Sequence, residues 1–136
     1  MMPCELTKEE FARCKKISSD TRKMVCEALK IIAEDEISVM TAYRDFYLQI
    51  SFSELHPLMV FCMTRHLDGN ISHMKKQTNE MNLMSVLGSH FVNEDVECYN
   101  YRAAHWLDTE MSKFRFFEIL DRCADEAARG FRQLAS

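Results

Sequence analysis

Apolar positions recur at helical spacing along most of the chain. The first stripe runs Phe11, Cys14, Ile17, Thr21, Met24, Val25, Ala28, Leu29 and Ile32. Thr7-Lys8-Glu9-Glu10 opens it as a capping box, a Thr N-cap with Glu three residues on. Ser18-Ser19-Asp20 interrupts it with residues that prefer caps to helix interiors. The pattern therefore predicts two helices, roughly 8–18 and 20–34, with one continuous helix as the alternative. Asp35 and Glu36 suit the start of a third helix, carrying Ile37, Met40, Tyr43, Phe46, Tyr47 and Ile50. It closes at Ser51-Phe52-Ser53. A fresh helix begins between Ser53 and Pro57, because Pro is tolerated near a helix start. It bears Leu58, Phe61, Cys62 and Leu67 up to Asp68-Gly69.

Gly69 can reach a positive φ and stop that helix, and Asn70 can cap the next one. Ile71, Met74, Thr78 and Met81 then share a face, and Gly88 follows as the expected C-cap. Asn93 caps a helix opened by Glu94 and Asp95, with Val96, Tyr99, Ala103, Trp106 and Leu107 inward. Asp108 or Thr109 caps the last helix, with Met111, Phe114, Phe117, Leu120 and Cys123 inward. The expectation is an all-α protein of six to eight helices with a corner at Asp68-Gly69-Asn70.

Composition sharpens this picture. The 136 residues are expected to form one domain with a real core. Three Gly and two Pro argue against an all-β fold. A net charge of −4, with no basic block interleaved with aromatics, predicts no nucleic-acid partner. Met1 to Glu5 has no signal-like pattern, and no run approaches a membrane span. A cytoplasmic protein is expected. The six cysteines, Cys4, Cys14, Cys26, Cys62, Cys98 and Cys123, form no C-x-x-C pair and read as free thiols on apolar faces.

No catalytic or metal-binding pattern stands out. His56, His66, His73, His90 and His105 make no H-x-x-x-H or H-E-x-x-H pair, and no Walker loop or nucleophile elbow is present. A non-enzymatic protein without cofactors or metals is expected. His90 after Leu87-Gly88-Ser89 leaves a small helical haem or ligand carrier as an alternative. An unrelated all-α protein that dimerises through its apolar face is another.

Several stretches together resemble the Bcl-2 family. Leu29-Lys30-Ile31-Ile32-Ala33-Glu34 is similar to its third homology motif. Tyr43-Arg44-Asp45-Phe46, followed by Leu55-His56-Pro57, resembles the aromatic helix after that motif. Leu67-Asp68-Gly69-Asn70-Ile71-Ser72-His73-Met74 resembles the first motif, with Ile71, Ser72 and His73 in place of Trp, Gly and Arg. Trp106-Leu107 and Phe116-Phe117-Glu118-Ile119-Leu120 resemble the second. With no apolar tail after Leu134, the chain looks most like a small virus-encoded homologue.

The resemblance implies a helical bundle around a central helix, with an apolar surface groove. An amphipathic BH3 helix of a pro-apoptotic partner would dock there and apoptosis would be blocked. The host-cell cytoplasm is implied, with mitochondria reached through partners. Tyr43, Phe46, Tyr47, Ile50, Phe61, Met63 and Leu67 would line the groove. Gly69 would admit the partner's backbone and Asn70 would hydrogen-bond it. His73 would stand where the family has its Asp-pairing Arg, with Arg65, Lys75 and Lys76 as substitutes.

Overall fold

A computed structural model describes residues 7–53, 56–107 and 109–135. The order is α1 (Lys8–Ala28), β1 (Ala33–Glu34), β2 (Ser38–Tyr43), β3 (Phe46–Phe52), β4 (Leu58–His66), α2 (Ile71–Met84), β5 (Ser89–Asn93), β6 (Cys98–Trp106) and α3 (Lys113–Ala135). The six strands form one antiparallel sheet in the order β1-β2-β3-β4-β6-β5. The all-α expectation is overturned: the fold is α/β.

The helix ends follow the local chemistry. At the start of α1, Thr7 accepts from the Glu10 N–H at 3.1 Å, completing the capping box. α1 is continuous through Ser18-Ser19-Asp20, the single-helix alternative. Thr21 turns its hydroxyl back to the Ile17 carbonyl at 2.7 Å and is buried without breaking the helix. α1 stops at Ala28, short of the stretch matched to a third homology motif, which is loop and β1. Gly69 has φ +113°, and Asn70 caps α2 by accepting from the His73 N–H at 3.2 Å. Ser112, not Thr109, caps α3, its hydroxyl accepting from the Arg115 N–H at 3.0 Å. Cys4, Leu55 and Asp108 lie outside the described residues.

The strands fall where helices were expected. β3 alternates in burial, with Phe46, Leu48, Ile50 and Phe52 on the inner face. β4 does the same with Met59, Phe61 and Met63. The sheet register sets Leu48 against Met63 and Ile50 against Phe61. A strand places alternate residues on one face, so this set meets a common core that a 3.6-residue period would scatter. Arg44 and Asp45, at φ 49° and 69°, make the two-residue turn joining β2 to β3. Both central residues at positive φ is the turn whose twist suits a hairpin. Arg44 is held by Asp125 of α3 at 2.8 Å. Asn93, expected as a helix cap, ends β5 instead, and Tyr99, Tyr101 and Ala103 are core residues of β6.

α1 and α3 cover the inner face. Ile17 and Val25 of α1, and Phe116, Leu120 and Ala127 of α3, join the sheet's core cluster. Phe61 meets the Phe116 ring at 6.1 Å, and Phe46 meets Phe131 edge-on at 6.3 Å. α2 lies against β5. On the other face Tyr47 and Trp106 remain exposed. Cys14 and Cys123 are buried, and Cys26, Cys62 and Cys98 half-buried, all five as free thiols.

Candidate docking cleft

A concavity lies between α1 and the far ends of β3 and β4. Its volume is about 510 Å³. Phe11, Cys14 and Ser18 of α1 face Phe52 and Pro57 across it, with Lys15, Arg22 and Glu36 supplying charge. One side is held in place by Arg22. Its guanidinium donates to the Glu36 carbonyl at 2.7 Å and the Ser38 carbonyl at 3.3 Å, and pairs with Glu34 at 3.5 Å. α1 is thereby tied to the β1–β2 turn. Asp35 shapes that turn by accepting from the N–H groups of Ile37 at 3.0 Å and Ser38 at 2.8 Å. The Ile37 N–H bond, then the Ser38 hydroxyl, hold its carboxyl below the usual carboxylate range.

The cleft presents apolar walls, small hydroxyls and both charge signs. That suits a polypeptide with apolar and polar side chains better than one small polar molecule. Among the described residues no group of three His, Cys, Asp or Glu is placed to hold a metal ion.

The residues assigned to a helix-binding groove do not form one. Phe46, Ile50, Phe61, Met63 and Leu67 are core residues, none more than 2% exposed. Tyr43 is half-buried, and its hydroxyl donates to the Asp121 carboxylate of α3. Tyr47 lies on the opposite face of the sheet. Gly69, Asn70 and His73 do meet, at the corner that starts α2, with His73 exposed. The substitute cations diverge. Arg65 sits 4.1 Å over the Phe131 ring, Lys75 pairs with Glu94 at 3.5 Å, and Lys76 is exposed. His90, considered for haem, is buried with its Nδ1 2.6 Å from the Tyr99 hydroxyl. Sequence reasoning missed the cleft because it read Ser18-Ser19 as a helix break. A pair of small residues on an otherwise bulky helix was the available sign.

Comparison with solved structures decides the fold class. The HopA1–SchA chaperone–effector complex contains a chain that matches with TM-score 0.61 at 12% identity, over 94% of this chain and 99% of that one. The chain has the fold of the type III secretion chaperones. SycH of Yersinia pestis, a type III secretion chaperone solved with a fragment of YscM2, matches at TM-score 0.57 and 16% identity, over 83% and 98%. YbjN of E. coli, described as a candidate transcription regulator, shares the same fold at TM-score 0.64 and 7% identity, over 83% and 87%. No family model and no curated protein matches the chain.

The secretion-chaperone fold overturns the Bcl-2 resemblance. Its matched stretches are a loop with β1, a hairpin turn, a strand–helix corner, a strand end and one turn of α3, so their shared order reflects no shared architecture. The BH3 partner, the block of apoptosis and the virus-encoded, host-cell placement go with it. The haem-carrier and all-α alternatives fall as well. Among the described residues no helix is long and apolar enough to cross a membrane.

Proposed function

We propose that this chain is a binding protein of the secretion-chaperone kind, which holds a segment of a partner polypeptide in the α1 cleft. The observation that carries this reading is the match to a chain of a chaperone–effector complex over nearly the full length of both, together with an open, apolar-walled cleft. Phe11, Phe52 and Pro57 would bury apolar side chains of the segment, while Lys15, Arg22 and Glu36 would fix its register through polar contacts. The function is capture rather than catalysis.

The test is selection of peptides of about 20 residues from a displayed library, followed by calorimetry on the purified chain. Ser19→Phe fills the cleft from an exposed position on α1, so the fold should stand. Selected peptides should lose at least tenfold in affinity for this variant. If no peptide is selected, or if Ser19→Phe binds as the parent does, the cleft reading is wrong.

A further inference from the structure

The two rims of the sheet differ, and one of them is partly bare. At β5 the rim is closed by Asn82 of α2. Its side-chain amide donates to the His90 carbonyl at 2.8 Å and accepts from the His90 N–H at 2.6 Å. It stands in for a missing strand, one way of protecting an edge.

These two bonds fix which residues of β6 face which neighbour. In an antiparallel ladder the N–H and C=O of one residue point to the same side, and successive residues alternate. Those of His90 point away from β6, so Tyr101 opposite it faces β4. Leu107 continues that series, its N–H donating to the Pro57 carbonyl at 2.6 Å. Arg102, Ala104 and Trp106 therefore face the β5 side. β5 begins at Ser89, opposite Arg102. Beyond that point Ala104 and Trp106 direct their N–H and C=O groups outward, with no partner strand among the described residues.

The rim is bare because the chain before β5 is drawn away. Glu126 of α3 accepts from the N–H groups of Val86 at 2.9 Å, Leu87 at 3.1 Å and Gly88 at 2.8 Å. Beside the rim lies a cavity of about 120 Å³, walled by Leu87, Ala103 and Ile119, with Arg115 and Arg122 also lining it. Arg102 is exposed next along β6. Arg102 lies on the outer face of the sheet; on the α3 side Glu118 pairs with Arg115 and, at 3.8 Å, with Arg122, and the carboxylate of Glu126 is buried under the Val86–Gly88 loop. The surroundings are positive on a chain of net charge −4.

We propose that the Ala104–Trp106 rim takes an extended segment of a partner polypeptide as an added β-strand. An apolar side chain of that segment enters the cavity, and an acidic one meets Arg115 and Arg122. Main-chain bonds supply affinity in such strand addition, and the cavity supplies selectivity. The charge favours an acidic segment over a second copy of this chain, which would bring like arginines together. This site uses elements other than the α1 cleft and stands independently of it.

Amide hydrogen exchange by nuclear magnetic resonance tests the rim. In the free protein the Ala104 and Trp106 amides should exchange at least 100-fold faster than those of Ala103 and His105. The peptide Asp-Val-Thr-Val-Thr-Val-Asp should then protect both amides and shift the emission of Trp106, the sole tryptophan. The same peptide with Lys for Asp should bind at least tenfold more weakly, and one with a central Pro should not bind. Arg122→Glu, at an exposed position, should weaken the acidic peptide several-fold. Ala104→Pro removes an N–H that has no strand partner among the described residues and should abolish binding. If that variant unfolds, Arg122→Glu still decides. Ser19→Phe should leave this binding unchanged. Failure of the acidic peptide to bind, or binding lost in Ser19→Phe, would overturn the proposal. So would slow exchange of both amides in the free protein, including slow exchange that accompanies a concentration-dependent dimer.

Discussion

Removing the Glu126 carboxylate should destabilise the protein more than any other single hydrogen-bonding change we can identify. The side chain is buried on α3, where it accepts from the Tyr101 hydroxyl at 2.7 Å and from the N–H groups of Val86, Leu87 and Gly88. Hydrogen bonds to a charged group contribute about 1.5–3 kcal/mol each. They share one carboxylate, and the freed loop can turn to water, so their sum overstates the loss. Glu126→Ala should cost about 3–4 kcal/mol, which lowers Tm by roughly 10 °C in a domain of this size. Glu126→Gln keeps the shape but aims an NH₂ donor at donors, and should cost roughly 2 kcal/mol. The pH dependence has a definite sign. Burial alone would raise the Glu126 pKa, but the Tyr101 hydroxyl and the three N–H groups outweigh it and hold it below the usual 4.5. A depressed folded pKa gives stability that is complete above 4.5 and is lost as pH falls through the folded value. Urea unfolding of parent and Glu126→Gln should therefore show a gap at pH 7 that narrows below pH 4.5. A gap under about 0.5 kcal/mol at pH 7, or one that does not change with pH, would refute this account of the clamp.

Three further outcomes follow from the same geometry. Gly88→Ala would put a Cβ 2.5 Å from the Arg102 carbonyl oxygen and 2.6 Å from the Tyr101 ring. Because the first contact is backbone, the variant should lose about 2–3 kcal/mol in denaturant unfolding. Tyr43 is pushed up to about 12 by burial, then by its bond to Asp121, so the ultraviolet titration of parent minus Tyr43→Phe should have its midpoint near 12 rather than 10. Asn82→Ala strips the cover from β5 and should speed exchange of the His90 amide at a cost of about 1–2 kcal/mol, read by exchange and thermal unfolding.

What was legible in the sequence was local. The Thr7 capping box and the Gly69-Asn70 corner were readable because each bond spans three residues or fewer. α3 was readable because its apolar stripe persists for six turns. The strands were obscured for different reasons. Leu58 to Met63 is apolar on both faces, since the outer positions Leu58, Val60 and Cys62 are half-buried, so alternation is hidden. In β3 the alternation is clean, but Phe46, Tyr47 and Ile50 also fit a helical template, and Leu48 and Phe52 alone depart from it. The hairpin before β3 lacks the Asn-Gly or Asp-Gly signal. Its Arg44-Asp45 turn is steadied by α3, some eighty residues on, and no local window contains that.

The two candidate surfaces differ in how they are encoded. The α1 cleft depends on Arg22 reaching the β1–β2 turn, a contact between neighbouring elements. The bare rim depends on Glu126, which lies about forty residues from the loop it holds. No pattern around Val86 to Gly88 announces that capture. The local sign is at the other end. Cys123, Ala124 and Ala127 put Glu126 among the apolar positions of a helix, where an ionised carboxylate is unstable unless it is paired inside. A charge on such a stripe says that something polar must come to it. Here the available donors are three successive N–H groups of a loop. By satisfying Glu126 they leave the line of the sheet, and on the side away from β4 Ala104 and Trp106 have no partner strand among the described residues. The stability of α3's buried carboxylate and the openness of the β6 rim are thus one structural fact. Glu126→Gln should therefore loosen the loop and raise the exchange of the Val86, Leu87 and Gly88 amides together.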